Sequence, residues 1–579
     1  MKKLQSRPVP ESSTDLGNDL NPVLQRIYAA RGVRSASELE CTLNQLLPMN
    51  DLLNIEKAVE VIIDAIRQDK KILIVADFDC DGATSCAVAV RGLQALGATS
   101  VQYLVPNRFE YGYGLTPEIV EVAARYTPDI LITVDNGISS IEGVKRAREL
   151  GMQVVVTDHH LQGASLPDAN AIVNPNQQGD QFGSKNLAGV GVIFYVLLAC
   201  RARLRELDWF ESKGMAEPNL ATLLDLVALG TVADLVPLDA NNRILVEQGL
   251  RRIRAGHGCA GIQALLQIGG RSAERVVASD MGFAIGPRLN AAGRLEDMSV
   301  GIECLLSDSP ERALALAQQL DNLNKERKHI ESDMRETAFA VLDKLQLGAE
   351  NGQVPAAICL YDEGWHQGVI GILASRIKER YHRPVIIFAQ GVDGEIKGSA
   401  RSIPGVHIRD VLDVVATRHE GLINKFGGHA MAAGLSIEYD RLDQFTRAFT
   451  EEVLRWVDED DLQGCIHTDG HLESQDYSLE LAELLRHAGP WGQGFPEPVF
   501  EGEFKVVQQR IVGERHLKMV VQPWHTSKTL DAIAFNAVDN DCPHDQQSVR
   551  LAYRLDVNEF RGQRSLQLMV EYLEVLPAG

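Results

Sequence analysis

Three aspartates, Asp77, Asp79 and Asp81, fall within five residues, directly after the apolar run Ile72–Ala76 and directly before Gly82 and the helical stretch Ala83–Leu96. A short apolar run followed at once by a helical pattern reads as a buried strand feeding a helix. Carboxylates that close repel one another unless a cation neutralises them. In an open parallel sheet, ligands gather at the carboxyl ends of the strands. The run therefore calls for an α/β architecture that brings further ligands to the same sheet edge.

The following sequence supplies them. Val101–Val105, Ile130–Val134 and Val154–Thr157 are also strand-like and separated by helical stretches, the rhythm of a parallel sheet. Asp135 ends the second of these runs, and Asp158-His159-His160 ends the third. One such aspartate alone reads as a helix cap or a turn residue. Their occurrence on successive strand ends points instead to a shared metal site, which Asp234, emerging from the apolar stretch Ala228–Ala233, completes. Carboxylate and imidazole donors without cysteine favour Mg²⁺ or Mn²⁺ over structural zinc. No Gly-x-x-x-x-Gly-Lys-Ser/Thr loop is present, so ATP is not expected. Gly189-x-Gly191 lacks the third glycine of a dinucleotide fingerprint and reads as helix packing.

In this order the motifs Asp-x-Asp-x-Asp-Gly, Val-Asp-Asn-Gly and Asp-His-His resemble the DHH phosphoesterases. Phe426-Gly427-Gly428-His429 resembles the Gly-Gly-His signature of the partner DHHA1 domain, and the full length resembles the family's bacterial single-strand exonucleases. The resemblance implies that Asp79 and Asp135 bind one ion while Asp81, His159 and Asp234 bind the other, with Asp135 bridging. His160 would face the substrate phosphate, and Asp158 would orient a ligand or hold the strand end. Smaller family members carry histidine where this chain has Val75, and Asp77 is the substitute available to it.

The activity so implied is 5′ to 3′ hydrolysis of single-stranded DNA to 5′-mononucleotides by two metal ions, in DNA repair and recombination. Family analogy adds a single-strand-binding protein and a helicase as partners. Two alternatives stand beside it: a phosphodiesterase of short oligoribonucleotides or cyclic dinucleotides, and an inert Cdc45-like replication scaffold. The first resembles only the leading two domains, and the second would have lost metal ligands that this chain retains.

Asn107, Arg108, Arg288, Asn290 and Arg294 lie in segments suited to gripping phosphate, since arginine donates to it in bidentate fashion. Each arginine also reads as a salt-bridged surface residue. By resemblance, Arg376, Ser399 and Arg401 would receive a terminal 5′ phosphate, with His429 nearby or else a core histidine.

At 579 residues the chain exceeds one core. It divides into a helical lead-in (1–53), a DHH catalytic domain (54–308), a long helix (309–348) suited to a strut between two lobes, a DHHA1 substrate-binding domain (349–464) and a small closed β-domain of OB type (465–579). In the last, Lys505, Arg510, Arg515, His516, Lys518 and Lys528 interleave with Phe504, Trp524 and Phe535, a mixture suited to single-strand binding or, for the aromatics, to a core. The net charge of -22 does not suggest nucleic acid, so these local patches must supply the attraction. Nine cysteines without a Cys-x-x-Cys pair read mostly as buried hydrophobes. No apolar run is long enough to span a membrane and no signal peptide leads the chain, so a cytoplasmic protein is expected.

Overall fold

The computed structural model describes residues 3–10, 16–17, 20–107, 114–348, 354–391, 394–458, 461–513, 515–524, 526–535, 537, 548–560 and 562–577. The lead-in departs from the helical expectation. It opens on strand β1 (Lys3–Ser6) and holds one helix, Pro22–Ala30, followed by 3-10 turns at Ala36–Leu39, Leu43–Gln45 and Met49–Asp51. Gly32, in a left-handed conformation, ends the helix, and Pro48 comes just before the last turn.

The chain divides into two compact units, Ser6–Asp321 with His467–Gly579, and Met1–Gln5 with Asn322–Ile466. The larger unit holds a five-stranded parallel sheet of β2 (Ile72–Ala76), β3 (Val101–Leu104), β4 (Ile130–Val134), β5 (Gln153–Thr157) and β6 (Ala171–Val173). Their order is β3-β2-β4-β5-β6, so the chain reverses direction across the sheet between β2 and β4. β2 and β4 are buried along their whole length, which is why both read as unbroken apolar runs. The register Ala76↔Val134↔Thr157 aligns the three strand ends, so Asp77, Asp135 and Asp158 emerge side by side at the point of reversal.

The second unit holds a mixed sheet of β7 (Ile358–Tyr361), β8 (Val385–Gln390), β9 (Glu395–Arg401), β10 (Lys425–Gly428) and β11 (Ala432–Glu438), in the order β10-β11-β9-β8-β7. It packs on a core that includes Phe388, Phe445 and Phe449. β12 (Cys465–Thr468) pairs with β1. A closed barrel follows in the larger unit, made of β13 (Phe500–Val512), β14 (His516–Pro523), β15 (Leu530–Ala534), β16 (Ser548–Phe560) and β17 (Gln563–Val575).

The helix Pro310–Gly348 is continuous over 39 residues, about 58 Å at 1.5 Å per residue, and the division between the units falls within it. Its buried stripe runs through Ala313, Ala317, Leu320, Ala338 and Leu342. Val341 is 40% exposed, because the neighbouring Leu342 takes the inward position.

Among the described cysteines none forms a disulfide, and Cys465 is exposed. Among the described residues no helix is long and apolar enough to cross a membrane.

Candidate active site

The sheet edge gathers the acidic loop, the Asp135 turn and the Asp-His-His turn. His159 Nε2 lies 3.1 Å from Asp135 Oδ1, 3.5 Å from Asp234 Oδ2 and 4.0 Å from Asp81 Oδ2. Three overlapping groups have donor atoms within 4.8 Å of one another: Asp77, Asp79 and Asp135; Asp81, His159 and Asp234; and Asp135, His159 and His160. Every sequence-nominated carboxylate and both histidines thus converge, save Asp158, which sits behind them.

Each side chain has a structural reason for its aim. Asp79 caps the helix Cys80–Ala95, its Oδ1 accepting from Gly82 N at 3.0 Å. Its neighbour Cys80 N donates to Asn290 Oδ1 at 2.8 Å, and a Cβ on Gly293 would lie 1.9 Å from the Phe78 carbonyl. The helix Gly286–Leu295 is therefore wedged against the aspartate loop, and Asn290, expected at the phosphate, supports the loop through its Oδ1. Asp135 adopts a left-handed backbone with φ of 62°. Such a conformation is costly for a residue with a Cβ. The next residue offsets it, Asn136 Nδ2 donating to the carbonyls of Val75 and Val134 and so stapling β2 to β4. Asn174 and Asn176 donate to the His160 and His159 carbonyls. Asp234 projects from the end of the helix Leu224–Ala233.

Electrostatically the cluster is poised for cations. Burial, then repulsion from neighbouring aspartates, pushes Asp77 up to about 8 and Asp81 up to about 7, and holds Asp135 and Asp234 well above the ordinary carboxylate range. Among the described residues the buried Asp135 Oδ1 accepts no hydrogen bond. A hard oxygen and imidazole donor set with an unsatisfied buried carboxylate oxygen fits Mg²⁺ or Mn²⁺. Asp158 behaves oppositely. Burial raises it, but the hydrogen bond and charge of His160 outweigh that and lower it. His160, in turn, is pulled down by burial yet raised overall to about 9 by Asp158 and the nearby carboxylates.

The nominated phosphate grips fare unequally. Arg108 lies outside the described residues; Asn107 is half-buried after β3, and Arg294 is half-buried on the Gly286–Leu295 helix. Arg288 is held by Asp321 at 2.8 Å, and Arg376 by Glu331 at 3.0 Å and Glu379 at 3.3 Å. Arg401 differs: it donates to Ser399 Oγ at 3.2 Å and to the Ala400 carbonyl at 2.8 Å, neither of which is an anion. Burial lowers its pKa. A Cβ on Gly371, near the start of the helix Ile370–Tyr381, would lie 2.9 Å from both Arg401 Nη2 and Ser399 Oγ. His429 is exposed, so it is no core histidine.

Beside Asp234 a cavity of about 560 Å³ opens between the residues 232–290 and the stretch 486–571, with Leu235, Phe283, Trp491 and Arg554 in its wall. Sequence reading gave no sign of it, because its walls come from distant segments. On the barrel, Phe504 is fully buried and belongs to the core, whereas Trp524 is 58% and Phe535 50% exposed.

A metal-ready donor set at the reversal point of a parallel sheet defines a DHH-type phosphoesterase, and the model of the DHH family N-terminal domain matches residues 71–231. The DHHA1 domain matches 352–455 and the RecJ OB domain 468–572. The chain is 54% identical over 572 residues to the single-stranded-DNA-specific exonuclease RecJ of Salmonella typhimurium, covering 98% of each chain. It also resembles the crystal structure of Thermus thermophilus RecJ in complex with Mn²⁺, with a TM-score of 0.78, 30% identity and coverage of 100% of this chain and 80% of that one. For the Mg²⁺ complex of the same protein the values are 0.72, 29%, 100% and 78%. This chain belongs to the RecJ family of exonucleases.

Proposed function

We propose that the chain is a single-stranded-DNA exonuclease that removes 5′-mononucleotides in the 5′ to 3′ direction, in repair and recombination. The observation that carries this reading is the convergence of overlapping carboxylate and imidazole sets on one sheet edge. Asp79 and Asp135, joined by Asp77, would hold one ion, and Asp81, His159 and Asp234, with Asp135 between the two sets, would hold the other. Divalent ions there would supply an activated water near neutral pH and offset charge on the attacking and leaving oxygens. The protein's own residues do the rest. His160, kept cationic by Asp158, meets a phosphate oxygen, and the buried edge limits water around the reacting group.

Arg401 and Ser399, which Gly371 lets approach the start of the helix Ile370–Tyr381, take the terminal 5′ phosphate, which gives the enzyme its polarity. Arg376, Arg288, Asn107, Arg294 and His429 assist in holding the strand, the first two after exchanging a carboxylate for a phosphate. The barrel carries single-stranded DNA on its exposed aromatics and basic residues. In this division of labour 54–308 is catalytic, 349–464 binds the strand end and 465–579 holds the trailing strand. The reading also places the enzyme in the cytoplasm, with a single-strand-binding protein and a helicase as partners by family analogy.

The test is degradation of single-stranded and duplex DNA and RNA, labelled at the 5′ or 3′ end, with EDTA, Mg²⁺ or Mn²⁺. The expected result is immediate release of a labelled mononucleotide from 5′-labelled single-stranded DNA, only with metal. Asp81→Ala should abolish it while single-stranded DNA binding persists. Preference for RNA, or for the 3′ end, would replace this reading with an oligoribonucleotide phosphodiesterase.

A further inference from the structure

The helix Gly189–Glu206 begins at Ala188 without a side-chain cap of its own. Its first N–H groups donate to Asp81 instead, Gly189 N to Oδ2 at 2.7 Å and Val190 N to Oδ1 at 3.0 Å. A carboxylate 108 positions earlier in the chain thus caps the helix and meets its positive end. Gly189 also abuts a second carboxylate: a Cβ built on it would lie 2.5 Å from Asp135 Oδ1 and 2.6 Å from Asp135 Cβ. Asp81 and Asp135 belong to different donor groups. The same glycine therefore holds one by its N–H and admits the other by lacking a side chain.

We infer that Gly189 is a positioning residue that sets the separation of the two ion sites, an inference that rests on the metal-centre reading above. The expectation for Gly189-x-Gly191 is helix packing, and the two glycines differ: the nearest atoms to a Cβ on Gly191 belong to the Leu187 side chain, at 2.5 Å. The backbone of Gly189 is not left-handed, and alanine is the better helix former. The penalty of Gly189→Ala thus comes from its Cβ displacing Asp135. Gly230 closes the opposite side, where a Cβ would lie 2.7 Å from Asp81 Oδ1.

The experiment is Mn²⁺ titration of the full-length, metal-free protein by calorimetry and electron paramagnetic resonance. The wild type is expected to bind two ions. Gly189→Ala should lose one ion or bind about 10- to 100-fold more weakly, with the metal-free unfolding temperature little changed. Gly191→Ala should bind as the wild type does. Wild-type affinity for two ions in Gly189→Ala would overturn the inference, whereas a wild type that binds none would overturn the metal reading itself. A second measurement does not depend on that variant folding. Hydrogen exchange of a peptide spanning 187–192 should speed up in Asp81→Ala as the helix start loses its cap, and unchanged exchange would sink the proposal.

Discussion

His160 Nδ1 donates to Asp158 Oδ1 across 2.7 Å, and Asp158 is spent entirely on such tasks. The same oxygen accepts from His159 N and His160 N, while Oδ2 accepts from Ile138 N at 2.8 Å. One buried carboxylate therefore ties the Asp-His-His turn to the turn that follows Asp135. Asp158→Asn keeps the volume but loses the charge and one acceptor. We expect kcat for single-stranded DNA to fall about 10- to 100-fold, with KM less affected. An unchanged kcat would remove His160 orientation from the mechanism.

The acidic cluster predicts how stability depends on pH when metal is removed. Folded-state values of about 8 for Asp77 and about 7 for Asp81 lie above the ordinary value of 3.8. A group raised in this way contributes stability below its unfolded value, and that contribution is lost as pH rises through the folded value. In EDTA the unfolding temperature should fall from about pH 4 to about pH 8 and level off above the folded values. Mn²⁺ binds the deprotonated form, so its stabilising effect should grow over the same interval, reaching about 2.7 kcal/mol at 100 times Kd. Thermal scans at several pH values check this, and a metal effect that shrinks as pH rises would contradict the assignment.

The metal-bearing edge was legible because strand ends are local: a buried apolar run predicts where a chain emerges, and Asp77, Asp135 and Asp158 each follow one directly. Asp234 was legible as a charge leaving an apolar helix. What props these residues was not, since Asn290 and Gly189 act on positions 210 and 108 residues away through packing that no local pattern encodes. β1 escaped notice for the same reason, its partner among the described residues being β12, more than 450 residues later. The surroundings of the arginines were hidden in a different way. Arg288 and Arg376 each pair with a carboxylate that the fold, and not the local motif, brings to them.

Arg401 stands apart from them in having no carboxylate among its hydrogen-bond partners in the described residues. A charge-assisted bond contributes about 1.5–3 kcal/mol, so Arg401→Ala should raise KM for 5′-phosphorylated single strands by about 10- to 150-fold. Strands with a 5′ hydroxyl should be little affected. Comparing the two substrates isolates the phosphate, and an equal loss on both would remove Arg401 from terminal recognition.

Arg31 and Asp469 form an ion pair 2.7 Å long, each side chain only 1% exposed. It joins the lead-in to the stretch before the barrel, so deleting residues after Gly464 would leave a buried guanidinium without its partner. Such a loss costs about 3–5 kcal/mol, and Asp469→Ala should lower stability by that amount in urea unfolding. A truncation therefore confounds binding with folding.

Point changes on the barrel surface avoid that difficulty. Trp524 follows β14 and Phe535 follows β15, so in the antiparallel pair they stand at opposite ends of the shared ladder. Both are at least half exposed, and Phe535 meets His516 edge-on with ring centroids 4.9 Å apart. Exposed rings of this kind stack on bases at about 1–3 kcal/mol each, so Trp524→Ala should weaken binding of long single strands by about 5- to 150-fold. Stacking releases no counterions, so the slope of affinity against salt should stay as in the wild type. Lys505→Ala or Arg510→Ala should instead lower that slope by about 1 each. Fluorescence anisotropy with an oligothymidylate at several salt concentrations separates the two effects. If Trp524→Ala changed the slope but not the affinity at low salt, the ring would be bystander surface, and basic residues alone would hold the strand.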